Sequence, residues 1–237
     1  MESKEFLNRL NQWDKRFILR YNGIGGKGFT YTLKLISFTG RETIWLILMV
    51  YYLFIWYDPY VLAHISITFL IGLIIITPIK RIFNRSRPFE QLESIKILER
   101  KPTSRSFPSW HAYNVTSQGL LIGYLLNSLF IMILFLLFAV IVGFSRIQLG
   151  AHYPSDVIFG YVIGLIGFMI SVFLFSPLFF ELIKLLEMII PFEIQYFRIN
   201  PWLFEHIWYI ILCIGMFCLI FVISSYKILK NFFKNRA

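Results

Sequence analysis

The chain has 237 residues, 57% of them hydrophobic and 19% aromatic, with a mean hydropathy of +0.67. Only 15% are charged, well below the ~25% usual in a soluble domain, which excludes an ordinary soluble fold and points to an integral membrane protein. The net charge of +10 sits beside apolar runs, where it fits anionic headgroups or a phosphate site better than nucleic acid.

Continuous apolar runs without strand-like alternation predict an all-α polytopic membrane bundle of about six transmembrane helices. Ahead of them, Phe6, Leu10, Trp13 and Phe17 fall on one helical face, with Lys4, Arg9, Lys15 and Arg16 elsewhere. That is the pattern of an amphipathic helix lying at the interface. The same stretch lacks the apolar core of a cleaved signal peptide. Residues 23–28, GIGGKG, carry the letters of a dinucleotide loop, but no strand precedes them, and a flexible turn is the better reading.

The first span is expected at about 41–57 and the second at 59–79, separated by Asp58. The third (109–126) and fourth (129–144) flank an Asn127-Ser128 turn, and the fifth (155–175) ends at Ser176-Pro177. Residues 178–205, with Pro191 and Pro201, read as one or two interfacial helices. The sixth span, about 206–226, leads to a basic tail with Lys227, Lys230, Lys234 and Arg236. Cys213 and Cys218 lie in this last run, where membrane packing is a better reading than a disulfide or a metal site. With no repeat and no soluble domain visible, residues 1–237 are expected to form one membrane-embedded domain, with a core at 40–175 and an added C-terminal part at 178–226.

Counting spans puts the N-terminus, the 80–108 and 145–155 connections and the tail on one side of the membrane. Three polar clusters fall there: Lys80 with Arg87-Pro88, then Pro108-Ser109-Trp110-His111, then Ser145-Arg146 with His152 and Asp156. Taken singly, the basic residues read as interfacial anchors, Ser109 as a helix cap, and His152 with Asp156 as a structural pair. Together they supply a nucleophile or base, a carboxylate to orient it, and cations for an anion. Phosphoryl transfer depends on such positioned charge; arginine matches phosphate oxygens bidentately and lysine acts as a point charge. Pro108 and Pro154 look like first-turn prolines, so two helix N-termini would face the anion.

The patterns K-x6-R-P, P-S-x-H and S-R-x5-H-x3-D resemble the three signature motifs of the type 2 phosphatidic acid phosphatase superfamily. These are membrane lipid phosphate phosphatases, related to bacterial acid phosphatases and vanadium haloperoxidases. The resemblance covers about residues 40–175, and one position departs: Trp110 stands where the family usually has glycine. It implies that His152 attacks phosphorus to form a phosphohistidine and that Asp156 fixes the tautomer of His152. It further implies that His111 protonates the leaving oxygen and then activates water. Lys80, Arg87, Ser109, the Trp110 N–H and Arg146 would bind the phosphoryl oxygens, with no metal or other cofactor.

The implied partners are the bilayer and a lipid phosphate: phosphatidate, phosphatidylglycerophosphate, a polyprenyl diphosphate or a phosphorylated glycolipid. The sequence carries no sign of oligomeric state. A haloperoxidase reading meets a chain too apolar for that soluble class. A non-enzymatic lipid-binding or transport protein should carry ionisable groups near the midplane, whereas these gather at one interface. An integral, multi-pass cell-membrane location is expected. Lys/Arg counting puts the catalytic face in the cytoplasm, and the resemblance implies the extracytoplasmic face.

Overall fold

The computed structural model describes residues 2–191, 194, 196 and 198–234, with side chains for 4–191, 194, 196 and 198–224. Among these residues the chain is helical, with no strand. The helices are α1 (Glu2–Tyr21), α2 (Gly26–Phe38), α3 (Glu42–Val50), α4 (Pro59–Phe83), α5 (Pro88–Gln91), α6 (Trp110–Leu125), α7 (Leu129–Gln148), α8 (Pro154–Ile170), α9 (Ser176–Glu187), α10 (Trp202–Glu205) and α11 (Ile207–Lys234). Short π-helical segments, Tyr51–Ile55 and Ser171–Phe175, extend α3 and join α8 to α9. The side chains of Lys227, Lys230 and Lys234 lie outside the described residues, as does Arg236.

Among the described residues, four stretches are long and apolar enough to cross a membrane: Pro59–Gln91, Leu129–Gln148, Pro154–Glu187 and Ile207–Ser224. A fifth is reached if Gly26–Phe38 and Glu42–Ile55 count as one broken span. The expected six are not reached by this measure, because α6 has only 16 residues and carries Asn114, Thr116, Ser117 and Gln118. The fifth expected span does not stop at Ser176-Pro177. Pro177 occupies the first turn of α9, where its missing N–H breaks no hydrogen bond, so the helical run continues to Glu187. α7 likewise runs four residues past its expected end, which places Ser145 and Arg146 in its last turn.

The chain divides into two compact units, Met1–Arg41 with Thr68–Leu174, and Glu42–Ile67 with Phe175–Ala237. In the first, α6 is the central helix, packed between α7 and α8 and buried along nearly its whole length. Its polar groups find internal acceptors: the Tyr113 hydroxyl donates to the Thr68 carbonyl (2.8 Å), Ser117 Oγ to Tyr113 O (2.9 Å), and the Asn114 amide to Gly40 O (3.2 Å). Glycines let α8 approach closely, since a Cβ on Gly160 would lie 2.7 Å from Ala112 Cβ and one on Gly164 would lie 2.9 Å from Thr116 Cβ. Ser109 and Ser128 cap α6 and α7, accepting from the N–H groups of Ala112 and Ile131. Asn127, at φ +47°, makes the expected turn between them.

α1 packs against α7 and α8, and its protein-facing row is Asp14 and Ile18, both fully buried. Ile18, Ile95, Ala112, Ile147, Tyr153 and Val157 form one apolar cluster. Phe6 and Leu7 on α1 are exposed, the apolar surface an interfacial helix would offer to lipid. Residues 22–25 form the turn from α1 to α2, while Gly26–Gly28 already lie in the first turn of α2; φ is positive at Gly23, Gly25 and Gly26. The second unit is tied internally by Thr43 Oγ to Ser224 Oγ (2.7 Å), Tyr209 Oη to Phe54 O (2.7 Å), and a Tyr57–Glu187 hydrogen bond.

Candidate active site

All eight residues singled out in the sequence lie in the first unit, around one end of α6. α7 ends in a tight reversal at Gly150, whose φ of +77° and 2.6 Å clearance from the Lys96 carbonyl leave no room for a Cβ. The reversal brings the N–H groups of Ala151 and His152 onto the Arg146 carbonyl (3.0 and 3.2 Å). Pro154 then opens α8 in its first turn, and Asp156 reaches back to accept from the Tyr153 N–H (2.9 Å). The Ser109 N–H donates to the Asp156 carbonyl (2.9 Å), which joins the start of α6 to the start of α8.

His152 is buried, and its two ring nitrogens face opposite partners. Nε2 lies 3.2 Å from Arg87 Nη1, and Nδ1 lies 3.5 Å from Asp156 Oδ2. Arginine can only donate, so Nε2 presents a lone pair and the ring proton belongs on Nδ1, toward the carboxylate. Burial, then the charges of Arg87, Lys80 and Arg146, hold the His152 imidazole well below its usual pKa. It is therefore neutral at neutral pH, as a nucleophile must be. Asp156 also accepts from Ser106 Oγ (2.5 Å) and Arg85 Nη1 (2.6 Å), so its position is fixed on three sides. His111, in the first turn of α6, is within electrostatic reach of His152 and Arg146, and its buried Nε2 has no hydrogen-bond partner.

The cations differ in their occupancy. Arg87 is 3% exposed, and besides His152 its guanidinium donates to the carbonyls of Ser104 and Ala151 (2.7 Å each). Lys80 Nζ donates to the carbonyls of Arg105, Ser106 and Pro108 at 2.7, 3.3 and 2.7 Å. Its ammonium thus ties the loop before α6 to the end of α4. Arg146 is held bidentately by the Glu99 carboxylate and donates to Ser37 Oγ (2.6 Å). That carboxylate fills the fork in which phosphoryl oxygens would sit.

Two expectations need correction. Pro108 is not a first-turn proline: Ser109 is the N-cap, and Pro108 precedes it, offering its carbonyl to Lys80. Nor does the start of α8 face the anion site, because the Ser155 N–H is taken by Asp14 Oδ1 (2.9 Å). Only α6 offers its first-turn N–H groups, among them those of Trp110 and His111. Trp110 itself has ordinary helical backbone, so the position does not require glycine's freedom. Its indole stacks on Tyr113 (5.6 Å) and meets Phe69 edge-on (5.7 Å).

Residues that the motifs did not single out complete the arrangement. Buried Asp14 accepts from Ser155 Oγ (2.5 Å) and from Arg85 Nη2 (2.6 Å), while Arg85 also holds Asp156 and lies over the Tyr153 ring (4.3 Å). Asp14 had one readable sign: it stands between Leu10 and Ile18 in an i, i+4 row where a solvated acid is out of place. Glu99, inside the run Lys96-Ile-Leu-Glu-Arg-Lys101, had none. No cluster of three or more potential metal ligands occurs among the described residues.

Fold and site together define an all-helical, multi-pass membrane protein with a buried histidine–carboxylate pair ringed by arginines. The PAP2 superfamily model matches residues 60–181, and the chain belongs to that superfamily. An undecaprenyl-diphosphatase from Sulfolobus acidocaldarius is 32% identical over 129 residues, covering 54% of this chain and 62% of the relative. A decaprenylphosphoryl-5-phosphoribose phosphatase from Mycobacterium tuberculosis is 37% identical over 86 residues, covering 36% of this chain and 45% of the relative. The chain thus spans less than two thirds of these curated relatives. Among solved structures, Aquifex aeolicus LpxE superposes with a TM-score of 0.59 at 22% identity, covering 66% of this chain and 93% of that one. A transmembrane PAP2-type phosphatidylglycerolphosphate phosphatase from Bacillus subtilis gives 0.56 at 22% identity, over 78% and 90%. These two likenesses concern the fold.

Proposed function

We propose that the chain is a membrane phosphatase that removes a terminal phosphate from a lipid through a phosphohistidine on His152. The observation that carries this reading is the placement of His152, with Nε2 free of a proton beside Arg87 and Nδ1 turned to Asp156. The Nε2 lone pair attacks phosphorus as the bond to the lipid oxygen breaks, and His111 gives that oxygen its proton. His111 then takes a proton from water, whose oxygen displaces His152 and releases phosphate. Arg87, Arg146 and the first-turn N–H groups of α6 stabilise the equatorial oxygens, once the reacting phosphate has replaced Glu99 on Arg146. Lys80 adds charge while it holds the 105–108 loop.

The curated relatives are named for polyprenyl-linked phosphates, which supports a polyprenyl diphosphate or a comparable lipid phosphate as substrate. Phosphate release by the purified full chain in detergent with EDTA, across phosphatidate, phosphatidylglycerophosphate and undecaprenyl diphosphate, tests the reading. At least one should be hydrolysed, and His152→Ala should hydrolyse none; no release from any of the three would overturn the proposal. We place the site on the extracytoplasmic face, which the resemblance implies and the Lys/Arg count opposes. Glu93→Cys, in a background with Cys213→Ser and Cys218→Ser, should react with an impermeant maleimide on intact cells. Protection until lysis would put the site inside.

A further inference from the structure

A cavity of about 420 Å³ adjoins the site, lined in part by Lys34, Ser37, Arg41, Glu99 and Arg100. Its volume is in the range of small-ligand sites. Ser37 and Glu99, on its wall, are the two side chains that hold the Arg146 guanidinium, so the cavity and the phosphate site share that contact. Three cations line it against one acid, and that acid is engaged with Arg146. Arg41 and Arg100 are half-buried, Lys34 is exposed, and Arg41 is within electrostatic reach of His111. The chain comes close there: a Cβ on Gly40 would lie 2.9 Å from His111 Cβ.

The cavity is thus positively charged, and one of its lining residues, Arg41, follows the Gly40 backbone that abuts His111, the proposed acid for the leaving group. A neutral diacylglycerol leaving group makes no use of such a lining. A leaving group that carries its own phosphate does, because that phosphate is anionic and meets opposite charge there. We propose that Lys34, Arg41 and Arg100 form a second anion subsite for a phosphate on the leaving group. Substrate entry moves Glu99 off Arg146, which joins the two spaces. This rests on the phosphatase reading above. Two chemistries share the feature: a lipid diphosphate, which leaves as a lipid monophosphate, and a phosphatidylglycerophosphate, which leaves as a phosphodiester.

The test compares kcat/KM of the wild type and of the double variant Lys34→Gln/Arg100→Gln on undecaprenyl diphosphate, phosphatidylglycerophosphate and phosphatidate. The ratio of either anionic-leaving-group substrate to phosphatidate should fall by roughly tenfold, the size expected for losing charged hydrogen bonds. A fall confined to one of the two tells which leaving group the subsite takes. Competitive inhibition gives a second readout: pyrophosphate should inhibit the wild type more strongly than orthophosphate, and the variant should lose that difference. Unchanged ratios and an unchanged inhibitor preference would overturn the subsite and leave the phosphatase reading standing. A wild type inactive on all three substrates refutes the phosphatase reading, and the subsite with it.

Discussion

Removing the carboxylate of Asp14 should loosen the whole end of the bundle at which His152 sits. Asp14 is fully buried and accepts from the Ser155 N–H, the Ser155 hydroxyl and Arg85, which in turn holds Asp156. In Asp14→Ala, three donors lose their acceptor and Arg85 loses one of its two carboxylates. Breaking a buried ion pair on one side costs about 3–5 kcal/mol. The Arg85 side chain is 21% exposed and water can solvate part of it, so the lower end applies, about 3 kcal/mol. For a chain of this size that corresponds to a fall in Tm of roughly 6–12 °C. Asp14→Asn keeps an acceptor oxygen for Ser155 and should lose about half as much. The assay heats purified protein in detergent and measures the fraction still monodisperse, alongside phosphate release at a permissive temperature. A shift below about 2 °C in Asp14→Ala, with full turnover, would refute the claim that α1 is pinned to the site through this carboxylate.

Gly40→Val should lower kcat by more than roughly tenfold with little change in KM, because its Cβ would press on the Cβ, Cα and Cδ2 of His111 at 2.9–3.1 Å; steady-state kinetics check it, and wild-type turnover would contradict it. Lys80→Met should lose thermal stability as well as activity, since three carbonyls of the 105–108 loop lose their donor; a variant as stable as wild type would make Lys80 a phosphate ligand alone. The pH profile of kcat/KM should be bell-shaped. His152 must be neutral to attack, and its pKa is held below the usual imidazole value, so the acid limb should have its midpoint below about 6.5. The alkaline limb follows loss of the His111 proton. Burial, then the charge of Arg146, holds that imidazole well below its usual pKa too, so both limbs and the optimum lie on the acid side. A rate rising steadily from pH 4 to 9 would contradict these paired roles.

What the sequence revealed and what it hid divide by distance along the chain. His152 and Asp156 are four apart across a helix start, and Arg146 precedes them by one tight reversal, so their proximity follows from local structure. The partners that fix them come from far away: Asp14 and Asp156 meet on Arg85, each 71 residues from it, and Glu99 meets Arg146 across 47. No local pattern encodes such pairs. Boundaries failed where proline misled. Ser176-Pro177 looks like a stop, but Pro177 stands in the first turn of a helix that carries on. Pro108 looks like a first-turn residue and instead gives Lys80 a carbonyl. α6 matches the expected third span closely in its bounds, but it is short, polar and buried within protein, which apolar length alone does not register.

The phosphoryl group on His152 is the centre of this account, and it can be caught directly. His111→Ala removes both the acid and the group that activates water, but the phosphate leaving group of a lipid diphosphate departs without a proton. Brief exposure to such a lipid labelled with 32P in its terminal phosphate should therefore leave acid-labile, base-stable label on the protein. That label should map to His152 and be absent from a His111→Ala/His152→Ala double variant. Label persisting in the double variant, or turnover by His152→Ala alone, would contradict His152 as the nucleophile.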